Sequence, residues 1–199
     1  MITFRPLREH DLVLFHAWLQ RPHVKRWWRD RETYEEVVAH YLPCIEGREP
    51  TDHYLILLDG RPVGVIQTYF AADYSEWEAI VGTEEGIAGV DLLIGEEELI
   101  GNGLGPRVLA WFASEVVFAR PGTSACVATV EEENRRSWRA FEKAGFAHVR
   151  DVEEDGLPHR LMRLERADPA APGGGTASST PTSRPGPGAS CASAARRRR

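Results

Sequence analysis

A glycine-rich turn between an apolar strand and a helix constrains the fold of this chain most. The stretch GVDLLIG, residues 89–95, is apolar like a buried strand, and ELIGNGLGPRVL, residues 98–109, places three glycines directly before a helical run. Glycine inside a helix costs about 1 kcal/mol relative to alanine, so these glycines indicate a tight bend or a close approach to a ligand. Free N–H groups at a helix start can bind phosphate, although a turn without a ligand explains this stretch equally well.

The rest of the chain alternates strands and helices as far as residue 166. Apolar alternation predicts strands over 2–7, 53–59, 62–70, 86–95, 124–130, 147–154 and 159–166. Apolar residues at helical spacing, with Pro22 ending the first helix, predict helices over 9–24, 31–45, 105–120 and 134–146. The segment AADYSEWEAI, residues 71–80, is interpreted as a loop. This order predicts a mixed α/β (α+β) domain with one central sheet.

Charge divides the chain into two parts. Residues 1–166 carry 19 Lys and Arg against 29 Asp and Glu, a net charge of −10, whereas residues 167–199 carry a net charge of +4. The acidic part argues against nucleic acid as a partner and suits a cationic small molecule, although acidity also serves solubility alone. Residues 167–199 are rich in Pro, Gly, Ser and Ala, and they are predicted to form a disordered tail after a domain over 1–166.

The sequence predicts neither a membrane segment nor a disulfide framework. No run approaches the roughly 20 apolar residues of a transmembrane helix, and the first residues lack a signal-peptide profile. Cys44, Cys126 and Cys191 are odd in number and far apart, which argues against a disulfide framework and a metal cluster. The simplest interpretation is a cytoplasmic protein with free thiols, without a membrane partner, present as a monomer or homodimer.

Several motifs together resemble the GNAT acetyltransferase superfamily. WLQRPHVKRWW, GRPVGVIQTY, GVDLLIG with IGNGLG, and SWRAFEKAGF occur in the order typical of aminoglycoside 6′-N-acetyltransferases and their neighbours. Those neighbours include acyltransferases that modify lysine side chains in siderophore assembly. The resemblance covers residues 3–165 and implies a single GNAT-type domain with a mostly antiparallel mixed sheet, acetyl-CoA as co-substrate and no metal.

This resemblance answers the question that the glycines raise. In the superfamily the turn binds the pyrophosphate of coenzyme A; Gly103 and Gly105 match its motif, whereas Ile100 replaces an Arg or Gln. The preceding strand is expected to bind pantetheine through its backbone, and Asn134 resembles a coenzyme A contact that also fits a helix N-cap. The implied cofactor-binding residues are Leu93, Ile94, Gly101, Asn102, Gly103, Leu104, Gly105 and Asn134.

Acidic and aromatic residues are the candidates for the acceptor site. Asp91 lies within an apolar strand, where a carboxylate is costly to bury without a partner, and the resemblance places it against a cationic substrate. The resemblance leaves Asp73 and Glu76 open as the second catalytic acid, with Glu76 favoured because Trp77 follows it. Gln67 and Tyr69 share one face of their strand. The implied substrate-binding residues are Trp28, Gln67, Tyr69, Trp77 and Asp91.

Two departures from the family pattern leave three functions open. Phe141 stands where many members carry a tyrosine that protonates the leaving thiolate, and Thr129 stands where the aminoglycoside enzymes carry an acid. The neighbouring Glu131, Glu132 and Glu133 can compensate for the second change. The alternatives are an aminoglycoside N-acetyltransferase, an acyl-CoA-dependent N-acyltransferase for a lysine-like amine of siderophore biosynthesis, and a non-catalytic acetyl-CoA sensor.

Overall fold

The computed structural model describes residues 1–28 and 33–167. The strands are β1 (Ile2–Pro6), β2 (Asp52–Leu58), β3 (Arg61–Phe70), β4 (Ile87–Ile94), β5 (Ala125–Glu131), β6 (Ala147–Glu154) and β7 (Leu157–Glu165). The helices are α1 (Leu12–Leu19), α2 (Pro22–Trp28), α3 (Tyr34–Ile45), α4 (Ser75–Val81), α5 (Leu104–Phe112) and α6 (Arg135–Lys143). The predicted tail lies outside the described residues, except for Ala167.

The seven strands form one mixed sheet in the order β1-β2-β3-β4-β5-β7-β6. All neighbours pair antiparallel except β4 and β5, which are parallel. This parallel pair is short, because it joins Ile87–Gly89 to Ala125–Val127 and then stops. The predicted fold class is confirmed. The sheet opens between β4 and β5, beyond the three residues that pair.

Side-chain alternation along β4 divides the core between the two faces of the sheet. Ala88 and Val90 pack with α5 and α6 around Phe112. On the opposite face Leu93 packs under α1 and α3. Tyr69 and Ile87 pack on that same face with residues of α4. Asp91 therefore lies between two apolar clusters on one face.

Two element predictions are wrong for local reasons. The predicted first helix is two helices, and Pro22 begins α2 rather than ending a helix, because proline fits the first turn, where its missing N–H costs nothing. Residues 71–80 hold a short 3₁₀ turn and α4 instead of a loop. Trp77 and Val81 are four residues apart and both buried, which gives α4 a packed face.

The cysteines also differ in part from the prediction. Cys126 carries a free and fully buried thiol, and burial raises the pKa of that thiol well above its usual range. Cys44 is disulfide-bonded, so the prediction of a free thiol there is wrong. Within residues 1–28 and 33–167, no helix has the length and apolar character to span a bilayer.

Candidate active site

The hydrogen-bonding pattern between β3 and β4 decides which backbone groups of β4 remain able to bind a ligand. Gly95 N donates to Val63 O at 2.8 Å. In an antiparallel ladder alternate residues bond the partner strand, so Leu93 and Asp91 direct their backbone groups to β3. Leu92 and Ile94 direct theirs to the side where β5 has stopped pairing. That edge can accept an added strand-like ligand.

A groove of about 730 Å³ extends from this opening along the glycine-rich turn. Its walls come from β4, α2, the turn and one face of α6. Although the domain is acidic, the groove has a basic lining. The basic side chains that line it are His23, Arg26, Arg135, Arg136, Arg139 and Lys143.

Two glycines of the turn have backbone conformations that favour glycine. Gly101 has φ of +86° and Gly103 has φ of +77°. A Cβ at either position would meet no atom within 4 Å, so open space lies beside the turn. Asn102 between them donates its side-chain N–H to Glu98 O at 2.8 Å. The turn therefore presents backbone to the groove at the start of α5.

Asp91 is held by two donors from β3. Gln67 Nε2 donates to Asp91 Oδ2 at 2.9 Å, and the Tyr69 hydroxyl donates to the same oxygen at 3.1 Å. Gln67 is the direct cross-strand partner of Asp91. The carboxylate is only partly buried.

An aromatic wall stands beside this carboxylate. The Tyr69 and Trp77 rings lie 5.0 Å apart at an angle of 60°. Trp77 Nε1 donates to Thr129 Oγ1 on β5 at 3.5 Å. A Cβ on Gly89 would lie 2.6 Å from Tyr69 and 2.7 Å from Trp77, so glycine allows both rings to cover the strand. Asp91, Gln67, Tyr69 and Trp77 thus form one cluster.

Comparison with known proteins assigns the family. The family model described as "Acetyltransferase (GNAT) domain" matches residues 8–154. The chain belongs to the GNAT family. It is 33% identical over 150 residues to an aminoglycoside N(6′)-acetyltransferase type 1 of Klebsiella pneumoniae, a match that covers 73% of each chain.

Solved GNAT structures match over more of the chain. The aminoglycoside acetyltransferase AAC(6′)-Ib in complex with coenzyme A and kanamycin is 31% identical, with a TM-score of 0.76, over 83% of this chain and 95% of that chain.

A second curated relative is N(6)-hydroxylysine O-acetyltransferase of Escherichia coli, which is 26% identical over 166 residues. This match covers 79% of the present chain and 49% of the relative.

Other residues predicted from the GNAT resemblance have a structural role at the groove. Asn134 is the N-cap of α6, where its side chain accepts a hydrogen bond from Ser137 N at 3.2 Å. Phe141 is buried against Phe146, with ring centroids 5.0 Å apart, and lines the groove. Trp27 and Trp28 also line the groove. Leu104 is buried in the core, and Gly105 lies in the first turn of α5.

The two alternative acids lie in different surroundings. Partial burial raises the pKa of the Asp73 carboxyl, while Arg120 and the Phe70 backbone act to lower it. Arg120 also pairs with Asp52 at 3.3 Å and covers the Phe70 ring. Glu76 is exposed on α4, next to Trp77 of the Asp91 cluster.

Sequence reasoning missed two features of this GNAT site. Arg135, Arg139 and Lys143 recur every four residues and line the groove along α6. That spacing was readable in the sequence. His53 is buried on β2 directly opposite Gln67. No local sequence pattern indicates that His53 lies opposite Gln67, because this pairing depends on strand register.

Proposed function

We propose that this GNAT protein transfers the acetyl group of acetyl-CoA to a primary amine of an aminoglycoside. The observation that carries the proposal is the Asp91 carboxylate, which Gln67 and Tyr69 hold at the open part of the sheet. The acyl-donor groove and this acidic acceptor site use the same strand, β4. The 33% identical Klebsiella relative supports the choice of substrate class.

The donor site is assigned from groups that suit coenzyme A. Backbone groups of Leu92 and Ile94 face the opening, so Leu92 replaces Leu93 as the pantetheine candidate. His23 Nε2 lies 3.2 Å from Ile94 O, which leaves the Ile94 N–H for a ligand. The turn from Gly101 to Gly105 offers backbone N–H groups for pyrophosphate. Arg135, Arg139 and Lys143 supply positive charge for the remaining phosphate.

The chemistry requires a neutral attacking amine and a stabilised thioester oxygen. Acetyl-CoA supplies the activated acyl group when it is bound. Asp91 holds the substrate ammonium and takes its proton, directly or through water. Backbone N–H groups at the β4 opening stabilise the developing charge on the thioester oxygen. Phe141 cannot donate a proton, so the thiolate leaves unassisted or is protonated by water.

Recognition of the acceptor combines negative charge with aromatic surface. Trp28 lines the groove and offers an aromatic surface to a sugar ring, while the buried Tyr69 and Trp77 rings support the Asp91 strand. Glu76 is the second acid of the proposal because it adjoins Trp77, whereas Asp73 faces Arg120. Glu131 to Glu133 add negative charge at the end of β5. A polycationic amine satisfies these groups best.

The lysine-type relative supports a second candidate substrate. The Escherichia coli hydroxylysine O-acetyltransferase matches this chain at 26% identity. The corresponding alternative is acylation of a lysine-like amine, and a sensor without turnover is the third. We further propose that residues 1–166 are the catalytic unit, that it acts in the cytoplasm as a monomer or homodimer without nucleic acid or membrane, and that it confers aminoglycoside resistance.

A thiol-release assay separates these functions. Purified full-length protein and acetyl-CoA are mixed with kanamycin, with lysine or with N6-hydroxylysine, and free thiol is measured over time. We expect release with kanamycin, a product heavier by one acetyl group, and an NMR shift at the 6′ position. Preferential release with the lysine-type amines favours the second candidate. Acetyl-CoA binding without release from any amine favours the sensor.

A further inference from the structure

A buried histidine stands at the end of the polar row that leads to Asp91. His53 on β2 lies opposite Gln67, and Gln67 on β3 lies opposite Asp91. A bulge between Ile56 and Leu57 produces this register; without it His53 would face Ile66. Three polar side chains therefore form one line across three strands.

The surroundings of His53 keep its imidazole neutral. The residue is 6% exposed, and its ring lies 5.1 Å from the Tyr41 ring of α3. Burial and, to a smaller extent, His40 on α3 lower the pKa of His53 to about 4. Gln67, Thr51 and Asp91 oppose this shift without cancelling it. A neutral imidazole carries one N–H donor.

Stability alone does not explain a histidine at this position. Neither ring nitrogen has a hydrogen-bond partner among the described residues. An unpaired buried polar group costs about 1–3 kcal/mol, so an apolar side chain would be more stable here. The Gln67 side chain and the Thr51 backbone are polar groups that act to raise the pKa of this ring.

The Gln67 amide needs such a donor. Its Nε2 donates to Asp91 Oδ2 at 2.9 Å, so its carbonyl oxygen points to another neighbour. A flipped amide would turn that oxygen towards the Asp91 carboxylate and remove the hydrogen bond. A donor on the carbonyl side prevents the flip.

We propose that His53 is a positioning residue, whose imidazole N–H binds the Gln67 carbonyl oxygen and thereby keeps the Gln67 NH₂ group on Asp91. His53 contacts no substrate and acts through Gln67. The expected effect on turnover rests on the acetyl-transfer function proposed above, whereas the orientation of Gln67 does not.

NMR of the full-length protein tests the orientation without substrate. The ¹⁵N-labelled side-chain amide of Gln67 is identified by its loss in Gln67→Met, and its relaxation reports whether it is restrained. We expect a restrained amide in wild type, a mobile one in His53→Leu, and a restrained one again in His53→Asn or His53→Gln. Leu55→Val is the matched control, because Leu55 is buried on the same strand but lies opposite Val65. An amide equally restrained in His53→Leu, or equally mobile in Leu55→Val, overturns the proposal.

Kinetics with kanamycin and acetyl-CoA test the consequence. We expect His53→Leu to lower kcat/KM for kanamycin about tenfold through the loss of one hydrogen bond to a charged network, while the KM for acetyl-CoA stays unchanged. In a Gln67→Met background, His53→Leu should have no further effect. If His53→Leu and Gln67→Met lower kcat/KM additively, the proposed coupling between the two residues is refuted. If wild type acetylates nothing, the proposed function fails, and the NMR result still decides the role of His53.

Discussion

Asp91 on β4 and Gln67 on β3 are directly paired residues joined by a side-chain hydrogen bond of 2.9 Å. Tyr69, two residues further along β3, donates to the same carboxylate oxygen. The neighbouring strand thus fixes a carboxylate that is only partly buried. This arrangement leads to the first of four predictions.

Asp91→Asn keeps the size of the side chain and removes its charge. Turnover of kanamycin should fall about 100-fold or more, because the amine loses its base or its charge partner. Acetyl-CoA affinity, measured by calorimetry, should hardly change, because the proposed donor site lies along the turn and α6. Normal turnover would move the acceptor site elsewhere, and an early thermal transition with lost acetyl-CoA binding would make Asp91 structural.

Gly103→Val tests the donor site. Valine introduces a branched side chain into the open space beside the turn and strains a backbone with φ of +77°. Acetyl-CoA affinity should fall at least tenfold, which corresponds to about 1.4 kcal/mol. The matched control is Gly60→Val in the β2–β3 turn, where φ is +81° and no atom lies within 4 Å. Unchanged affinity in a folded Gly103→Val protein would refute the assignment.

Arg139→Gln tests the basic face of α6. Removal of one groove-lining charge should weaken acetyl-CoA binding about threefold to tenfold, and the loss should shrink at high salt because screening reduces the interaction. Arg107→Gln is the control, since Arg107 is exposed on α5 and does not line the groove. Calorimetry at low and high salt measures both variants. An equal effect in Arg107→Gln would indicate a general charge effect.

The buried His53 predicts a pH dependence of stability. Its pKa of about 4 in the folded protein lies below the ordinary 6.5, so between these values the unfolded chain binds a proton that the folded chain excludes. Stability should therefore be complete above pH 6.5 and fall as the pH drops towards 4. Urea unfolding should show that wild type loses about 2 kcal/mol more than His53→Leu between pH 7.5 and 5.0. Parallel curves for the two proteins would contradict this account.

Much of the fold was predictable because its signals are local. The apolar run of β4, the glycines before α5 and the alternation that puts Gln67 and Tyr69 on one face all act over a few residues. The helix α4 was missed because its packed face consists of two residues, Trp77 and Val81, in a short segment. Two apolar residues four positions apart are too few to distinguish a helix from a loop by periodicity.

The candidate site was predictable only in part because register is not a local property. The Gly60 hairpin is readable from the sequence, but the bulge between Ile56 and Leu57 shifts the pairing by one residue. A shift of one residue exchanges the two faces of a strand, and here it decides whether His53 meets Gln67 or Ile66. The hydrogen-bonding pattern of β3 and β4 likewise decides that the backbone groups of Leu92, rather than those of Leu93, face the opening beside β4. The sequence alone does not reveal this pattern.

If the donor binds as proposed, the short pairing of β4 with β5 would also link acyl-donor supply to the lifetime of the folded protein. Past Gly89 the edge of β4 has no β5 partner, so a bound donor would complete the sheet as a missing strand does. A ligand that binds only the folded state adds about 2.7 kcal/mol of stability at 100 times its Kd. In a cell the fraction of unfolded chain exposed to proteases would then fall as acetyl-CoA rises. Protein abundance would follow the metabolic state that also feeds the reaction.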